Sequence, residues 1–301
     1  MRHLSFLFLP LFLISCSSAP KRAMQVSDVS AKADERYETA VSELSSGQFE
    51  KAYSHLTQAF NYAVSVDASD LLCKICLSGV VYKIDVDVLG EIKAPPEKSF
   101  LNSSAEKILS DALVFARRSS DPEVLSSVQK IYEIKLALAK KETRYDEYLS
   151  VLDSVEKSIS KEIYYTGYVY RTKGDIFVLK GNYKDAEENY LKAANLHTKN
   201  RYLSEIGMDW YSVARSRSLS GQKDAALEAV KLALKYDRDA ENTPAIALDY
   251  MAASRILLKG NPSAKDKEEA FSLALWAAEI YEAGGFTAEA AECRSFAERI
   301  K

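Results

Sequence analysis

The run Tyr170-Arg171-Thr172-Lys173-Gly174-Asp175-Ile176-Phe177-Val178-Leu179-Lys180-Gly181-Asn182-Tyr183-Lys184-Asp185-Ala186 continues to Tyr190 and Ala193. Its pattern returns as Trp210, Ala214, Arg217, Gly221-Gln222-Lys223-Asp224-Ala225-Ala226, Val230 and Ala233. Counted from each turn glycine, the upstream positions fall at −11, −7 and −4 and the downstream ones at +5, +9 and +12. Residues three or four apart share a helix face. A bulky residue, a small residue, a glycine and an alanine seam in this order therefore predict two antiparallel helices meeting through their small positions. Arg217 departs from the pattern, standing where the first copy has Phe177, so there an aliphatic stem covers the apolar surface.

Working outward, the same frame recurs less completely. Before Gly47-Gln48-Phe49-Glu50-Lys51-Ala52, a first helix is predicted over 33–44, with Ala40 at the small site and Arg36 and Glu43 at the large ones; Leu56 and Ala59 continue the second helix. Residues 68–84 form an apolar helix with Gly79 and Tyr82, and 104–118, with Ala105, Leu109 and Ala112, is its partner behind a Ser103 or Ser104 cap. Between them lies a segment at 85–102 containing Ala94-Pro95-Pro96, long for a hairpin turn and either a contact loop or a tolerated excursion. Asp121-Pro122 opens a third unit that continues through Arg144-Tyr145-Asp146-Glu147-Tyr148, with Thr143 read in the glycine's place and Tyr148 in the seam. The clear units cover 161–197 and 203–236, and their glycines lie 40 residues apart, which places six extra residues around 197–208. A sixth unit has helices at 244–258 and 267–281, with five extra residues in the turn after Gly260, and a last helix at 287–301 caps the array.

These units resemble the tetratricopeptide repeat (TPR), whose unit is about 34 residues. The resemblance implies an all-α, right-handed solenoid of about six helical hairpins with a C-terminal capping helix over 33–301. It also implies a concave groove lined by the first helix of each unit. Carried over position by position, the groove residues are Tyr37, Lys130, Glu133, Tyr168, Arg171, Asp175, Met208, Tyr211, Arg215 and Tyr250, with Ser254 beside the last. Tyrosines next to arginines suit peptide recognition, because the ring supplies area at low entropic cost and the guanidinium can hold a carboxylate or carbonyl. Packing of the same tyrosines against neighbouring hairpins is the structural alternative.

The first residues carry a second signal. Met1-Arg2-His3 and the apolar run from Leu4 to Ile14 have the form of an export signal, too short to span a bilayer as a mature helix. Leu13-Ile14-Ser15-Cys16 resembles the lipobox of bacterial lipoproteins, which implies a signal peptide over 1–15 and lipidation of Cys16. Several acyl chains on one residue exceed the two-signal threshold for stable anchoring. Residues 16–32 lack an apolar period and are expected to form a tether. The expected location is the periplasmic face of the cell envelope, with Ser17 favouring the outer over the inner membrane.

The chain of 301 residues carries a formal charge of −3, or −4 from Cys16 onward once Arg2 is removed, and no basic stripe interleaved with aromatics, which excludes a nucleic-acid partner. Cys73-Lys74-Ile75-Cys76 is a CxxC on one helix face, read as two core residues or as a labile disulfide. His55 is read as a surface residue and His197 as lying in a turn. The paired acids Glu187-Glu188 and Glu268-Glu269 favour helix N-termini through the macrodipole. No catalytic motif is present, so no enzyme, cofactor or metal is expected. The expectation is a membrane-anchored adaptor whose partner is another envelope protein or a peptide segment. The alternative is an oligomeric component of a periplasmic transport system that binds a small hydrophobic ligand or a substrate-binding protein, homo-oligomerisation favouring it.

Overall fold

The computed structural model describes residues 28–89 and 99–300. The export signal, Cys16 and most of the expected tether lie outside these residues. The described chain folds into thirteen α-helices and one short 3-10 turn. Six hairpins follow one another: α1 (Asp28–Ser45) with α2 (Phe49–Ser65), α3 (Ser69–Leu89) with α4 (Ala105–Arg118), α5 (Pro122–Ala139) with α6 (Tyr145–Ser158), α7 (Ile163–Leu179) with α8 (Tyr183–Lys199), α9 (Leu203–Leu219) with α10 (Lys223–Asp239), and α11 (Thr243–Leu257) with α12 (Ala264–Ala283). The final helix, α13 (Thr287–Glu298), packs on α12. Each helix packs chiefly on its chain neighbours, as a solenoid requires.

The two clear units are longer than their sequence pattern suggests. Helices α7, α8, α9 and α10 each have 17 residues, separated by three-residue turns. The extra residues expected around 197–208 are therefore no inserted loop. They lengthen both helices of each hairpin, which gives a period of 40. For the same reason His197 sits on α8, not in a turn.

Among the described residues, seven three-residue turns hold their middle residue in the left-handed region: Gly47, Asp67, Gly181, Arg201, Gly221, Glu241 and Gly285. In each hairpin turn the residue that follows donates its amide back to the helix end, as Asn182 N does to Phe177 O (2.9 Å) and Gln222 N to Arg217 O (2.9 Å). Three of the turns that join hairpins, at Asp67, Arg201 and Glu241, use the same geometry without glycine, and Asn242 N reaches Asp237 O at 2.9 Å. In the third unit the left-handed residue is Lys141, so Lys141 and not Thr143 occupies the glycine's place. Its turn is accordingly longer, while Tyr148 is buried at the seam as read.

The other boundaries move for identifiable reasons. Helix α1 begins at Asp28, inside the expected tether, with the acid in its first turn. Ser104 accepts from Lys107 N to start α4, and Asp121 accepts from Val124 N to start α5 ahead of Pro122. A capping box of Ser263 and Asp266 starts α12 at Ala264, three residues early, which takes up part of the long turn. The end of the long segment folds back into the core. Phe100 stacks on Phe60 with centroids 4.5 Å apart, Leu101 is buried, and both rest on Gly79, where a Cβ would come within 2.8 Å of the Phe100 ring.

Cys73, Cys76 and Cys293 are buried, and burial pushes the Cys73 thiol up to about 12, so the CxxC pair is part of the core between the first two hairpins. His55 is half-buried and pairs with Glu43 at 2.7 Å. Arg217 does more than cover apolar surface: its Nε donates to Glu187 Oε1 at 2.8 Å.

Nothing lies within 4 Å of a Cβ built on Gly181, so substitution there tests backbone conformation alone. Gly181→Ala is expected to lower stability by about 1–2 kcal/mol, the cost of a left-handed non-glycine residue. Glu241→Gly, at the matching turn between hairpins, is expected to raise it by up to about 1 kcal/mol. Urea denaturation at a shared m-value checks both.

Candidate functional site

The period of 40 aligns side chains into columns on the first helices of successive hairpins. One column is Lys135, Asp175, Arg215 and Arg255; another is Tyr168, Met208 and Leu248. First helices of successive hairpins also meet one another, α1 with α3, α3 with α5, α5 with α7 and α9 with α11.

A polar network bridges α7 and α9. Arg171 is 12% exposed; its Nη1 meets Glu205 Oε2 at 2.6 Å and its Nε meets Asp209 Oδ1 at 2.6 Å, while Nη2 donates to Glu205 O at 3.0 Å. Tyr164 and Tyr168 donate their hydroxyls to Glu205 Oε1 at 3.1 and 3.0 Å. His197 and Asp209 are both fully buried and pair through Nδ1 and Oδ2 at 2.6 Å; the other ring nitrogen lies 3.2 Å from Tyr164 O. Burial acts to raise the Glu205 pKa, but the Arg171 guanidinium overcomes it and holds the carboxyl below the usual range. This His–Asp pair fits because position 167 is glycine: a Cβ there would lie 2.2 Å from His197 Nε2.

Beside the network stands Lys135 on α5. Its ammonium lies 5.1 Å from the Tyr168 ring centroid and 5.6 Å from that of Tyr132, and among the described residues it has no carboxylate partner. Burial pushes its pKa down, and the Arg171 charge adds to the effect. Asp175 accepts from Tyr190 Oη at 2.8 Å. Arg215, next in the column, is exposed, and Arg255 stacks over Phe296 with 5.6 Å to the centroid.

The structure thus brings together Tyr168, Arg171 and Asp175 of the residues read from the repeat, with Met208, Tyr211 and Arg215 following on α9. Arg171, however, is committed to Glu205 and Asp209. Met208 is 44% exposed and Tyr211 half-buried. Tyr37 is half-buried on α1 and accepts a long bond from Ser78 Oγ at 3.4 Å. Lys130 and Glu133 line a cleft between α5 and α6, away from α7, because the turn shift at Lys141 displaces the register of that unit. Tyr250 turns toward α10, where its hydroxyl accepts from Arg238, and Ser254 is buried, donating to Ala270 O at 2.6 Å. Lys135, Tyr132, Glu205 and Asp209 escape a count based on a unit of about 34 residues. The separation of 40 between Gly167 and Gly207, and between His197 and Asp237, is the signal that finds them.

Paired helices in a superposed array, with small residues at each crossing, define a TPR-like helical repeat protein, and the concave surface is the feature such a scaffold presents. Solved structures share the architecture. A Rap protein complexed with Competence and Sporulation Factor superposes with a TM-score of 0.56 at 15% identity, covering 89% of this chain and 74% of that one. Aspartyl phosphate phosphatase F from Bacillus subtilis gives 0.52 at 11%, covering 89% and 70%. The STAND protein PH0952 from Pyrococcus horikoshii, which has a tetratricopeptide repeat sensor, gives 0.51 at 17%, covering 89% and 42%. No family model and no curated protein matches the sequence.

Removing Arg171 takes the guanidinium from two buried carboxylates, leaving Asp209 with His197 and Glu205 with two phenols. Arg171→Met is expected to destabilise the fold by about 3–5 kcal/mol. Because the Glu205 pKa is depressed in the folded protein, its share of stability is present above the ordinary carboxylate range and is lost as pH falls through the folded value. The deficit of Arg171→Met should therefore shrink under acid conditions, as thermal melts from pH 7 to pH 3 would record.

Proposed function

We propose that this chain is a lipid-anchored adaptor of the bacterial cell envelope, which holds an extended segment of another envelope protein in its concave groove. The observation that carries the reading is Lys135: a cation set between two tyrosine rings on the groove wall, without a carboxylate partner among the described residues. An ammonium so placed can receive a carboxylate or carbonyl from a ligand, and Tyr132 and Tyr168 supply flat, rigid surface beside it. Arg215 continues the same column two hairpins further, with Tyr211 and Met208 at its side. The complex of a similarly folded Rap protein with Competence and Sporulation Factor supports a partner held by such an array.

Anchoring rests on the sequence. Cys16 would carry acyl chains, residues following it would span the gap to α1, and the solenoid would stay in water on the periplasmic side, at the outer membrane in preference to the inner. None of the described helices is long and apolar enough to cross a membrane, so attachment is assigned to the lipid.

Crosslinking in intact cells followed by pull-down tests both parts. The unmodified protein is expected to capture one envelope protein that is lost with Lys135→Glu and with the double replacement Tyr211→Ala and Arg215→Glu. Capture that is equal in all three would remove the groove from the mechanism. Cys16→Ser is expected to abolish acylation and move the protein from the membrane to the soluble fraction.

A further inference from the structure

The buried pair at His197 and Asp209 has a counterpart one hairpin later, at Asp237 and Asp249, in which the cations are missing. Asp209 is met by His197 from α8 and by Arg171 from α7. Forty residues on, His197 is replaced by Asp237 and Arg171 by Tyr211, so that Asp249 faces another acid and a phenol. Asp237 and Asp249 are 2% and 1% exposed, and each acts on the other's titration. Asp237 Oδ1 and Asp249 Oδ2 have no hydrogen-bond partner.

Asp249 lies on the wall of a cavity of about 440 Å³ between α10, α11 and α12, a volume within the small-molecule range of roughly 300–1,000 Å³. Here too the preceding hairpin shows what is absent. Arg217, Glu187 and Tyr190 fill the corresponding space, with the guanidinium of Arg217 on Glu187. Their places are taken by Leu257, Leu227 and Val230, which with Leu234 and Leu273 give the cavity apolar walls. At its mouth are Asp224, Glu228 and Glu269 against one cation, Lys231, already bonded to Glu228 at 2.7 Å.

We propose that this cavity binds a small amphipathic cation, an aliphatic chain ending in a protonated amine, whose ammonium gives Asp249 the counter-charge that His197 and Arg171 give Asp209. An aliphatic chain matches the leucine walls, and an ammonium supplies donors to oxygens that have none. Among the described residues no third His, Cys, Asp or Glu joins the pair to make a metal shell. Asp237 from α10 and Tyr211 from α9 act on Asp249, and the other titratable groups of the cavity are Asp224, Glu228 and Lys231 from α10, Tyr250 on its own helix and Glu269 from α12. Burial and mutual repulsion push Asp249 well above the ordinary carboxylate range, and burial raises Asp237 as well, so the pair retains a proton toward neutral pH. The ammonium competes with that proton, and binding weakens as pH falls. Tyr211 borders both this site and the proposed groove, but Asp249 and Leu257 belong to the cavity alone and Lys135 to the groove alone, so variants at these residues fail separately.

The test is calorimetric titration of hexylammonium, hexanol and hexanoate into the full chain carrying Cys16→Ser, so that no acyl chain competes. Hexylammonium is expected to bind saturably at pH 8, at least tenfold tighter than hexanol, with hexanoate undetectable and affinity falling at least fivefold at pH 5.5. Asp249→Asn should weaken binding at least tenfold. Leu257→Arg, which restores the internal cation of the preceding hairpin, should abolish it; thermal melts confirm that each variant is folded. A hexanoate affinity equal to that of hexylammonium, unchanged binding by both variants, or no saturable binding of hexylammonium at millimolar concentration would overturn the proposal.

Discussion

The solenoid depends on close approach of helices, which is possible only where one of two facing residues is small. Gly174 admits the Tyr190 ring, Gly167 admits His197 and Gly207 admits Asp237; a Cβ at any of the three would come within 2.5 Å of its neighbour. Interiors are packed densely enough that such overlaps force backbone movement. The large partner is fixed in turn, which allows polar groups to be buried with defined geometry. The network around Glu205 and Asp209 exists because glycine brings α7 against the end of α8.

Buried charge has to be compensated, and successive hairpins do so differently. Between α7 and α9, two carboxylates are met by a guanidinium, an imidazole and two phenols. Between α9 and α11, the repeat retains the acid but loses its cations. Removing one partner of a buried pair is costly, whereas an apolar replacement of both is often neutral. Retention of two facing acids at 237 and 249 is thus an energetic exception within an otherwise ordinary array, and the apolar cavity beside them is the other half of that exception.

Much of the fold was legible in the sequence because turn glycines and alanine seams are local signals of helix pairing. Gly181, Gly221 and Ala186 defined the hairpins without reference to any distant residue, and Ser104 and Asp121 declared their caps. What escaped was the length of the helices. Arg201 and Glu241 adopt left-handed turns that glycine would announce and they do not, so the joints between hairpins were invisible and the surplus residues looked like a loop. The site was less legible for the same reason. A register of about 34 residues reaches Tyr168 and Arg171. The turn at Lys141 carries no glycine, so a register read from Thr143 sets Lys130 and Glu133 level with Tyr168 and Arg171, where the period of 40 sets Val128 and Ile131. Nor does any local pattern reveal that Arg171 is occupied by acids 34 and 38 residues away.

The common period has a geometric consequence for anything lying along the concave face. Packed helices stand roughly 8–10 Å apart, and an extended chain advances about 3.3 Å per residue. One step from Lys135 to Asp175, or from Asp175 to Arg215, therefore matches about three residues of an extended ligand. The column reads as basic, acidic, basic, basic along α5, α7, α9 and α11. On the proposed reading, a segment lying across these helices would meet those charges about every three residues, and sliding by one residue would break the pairings together.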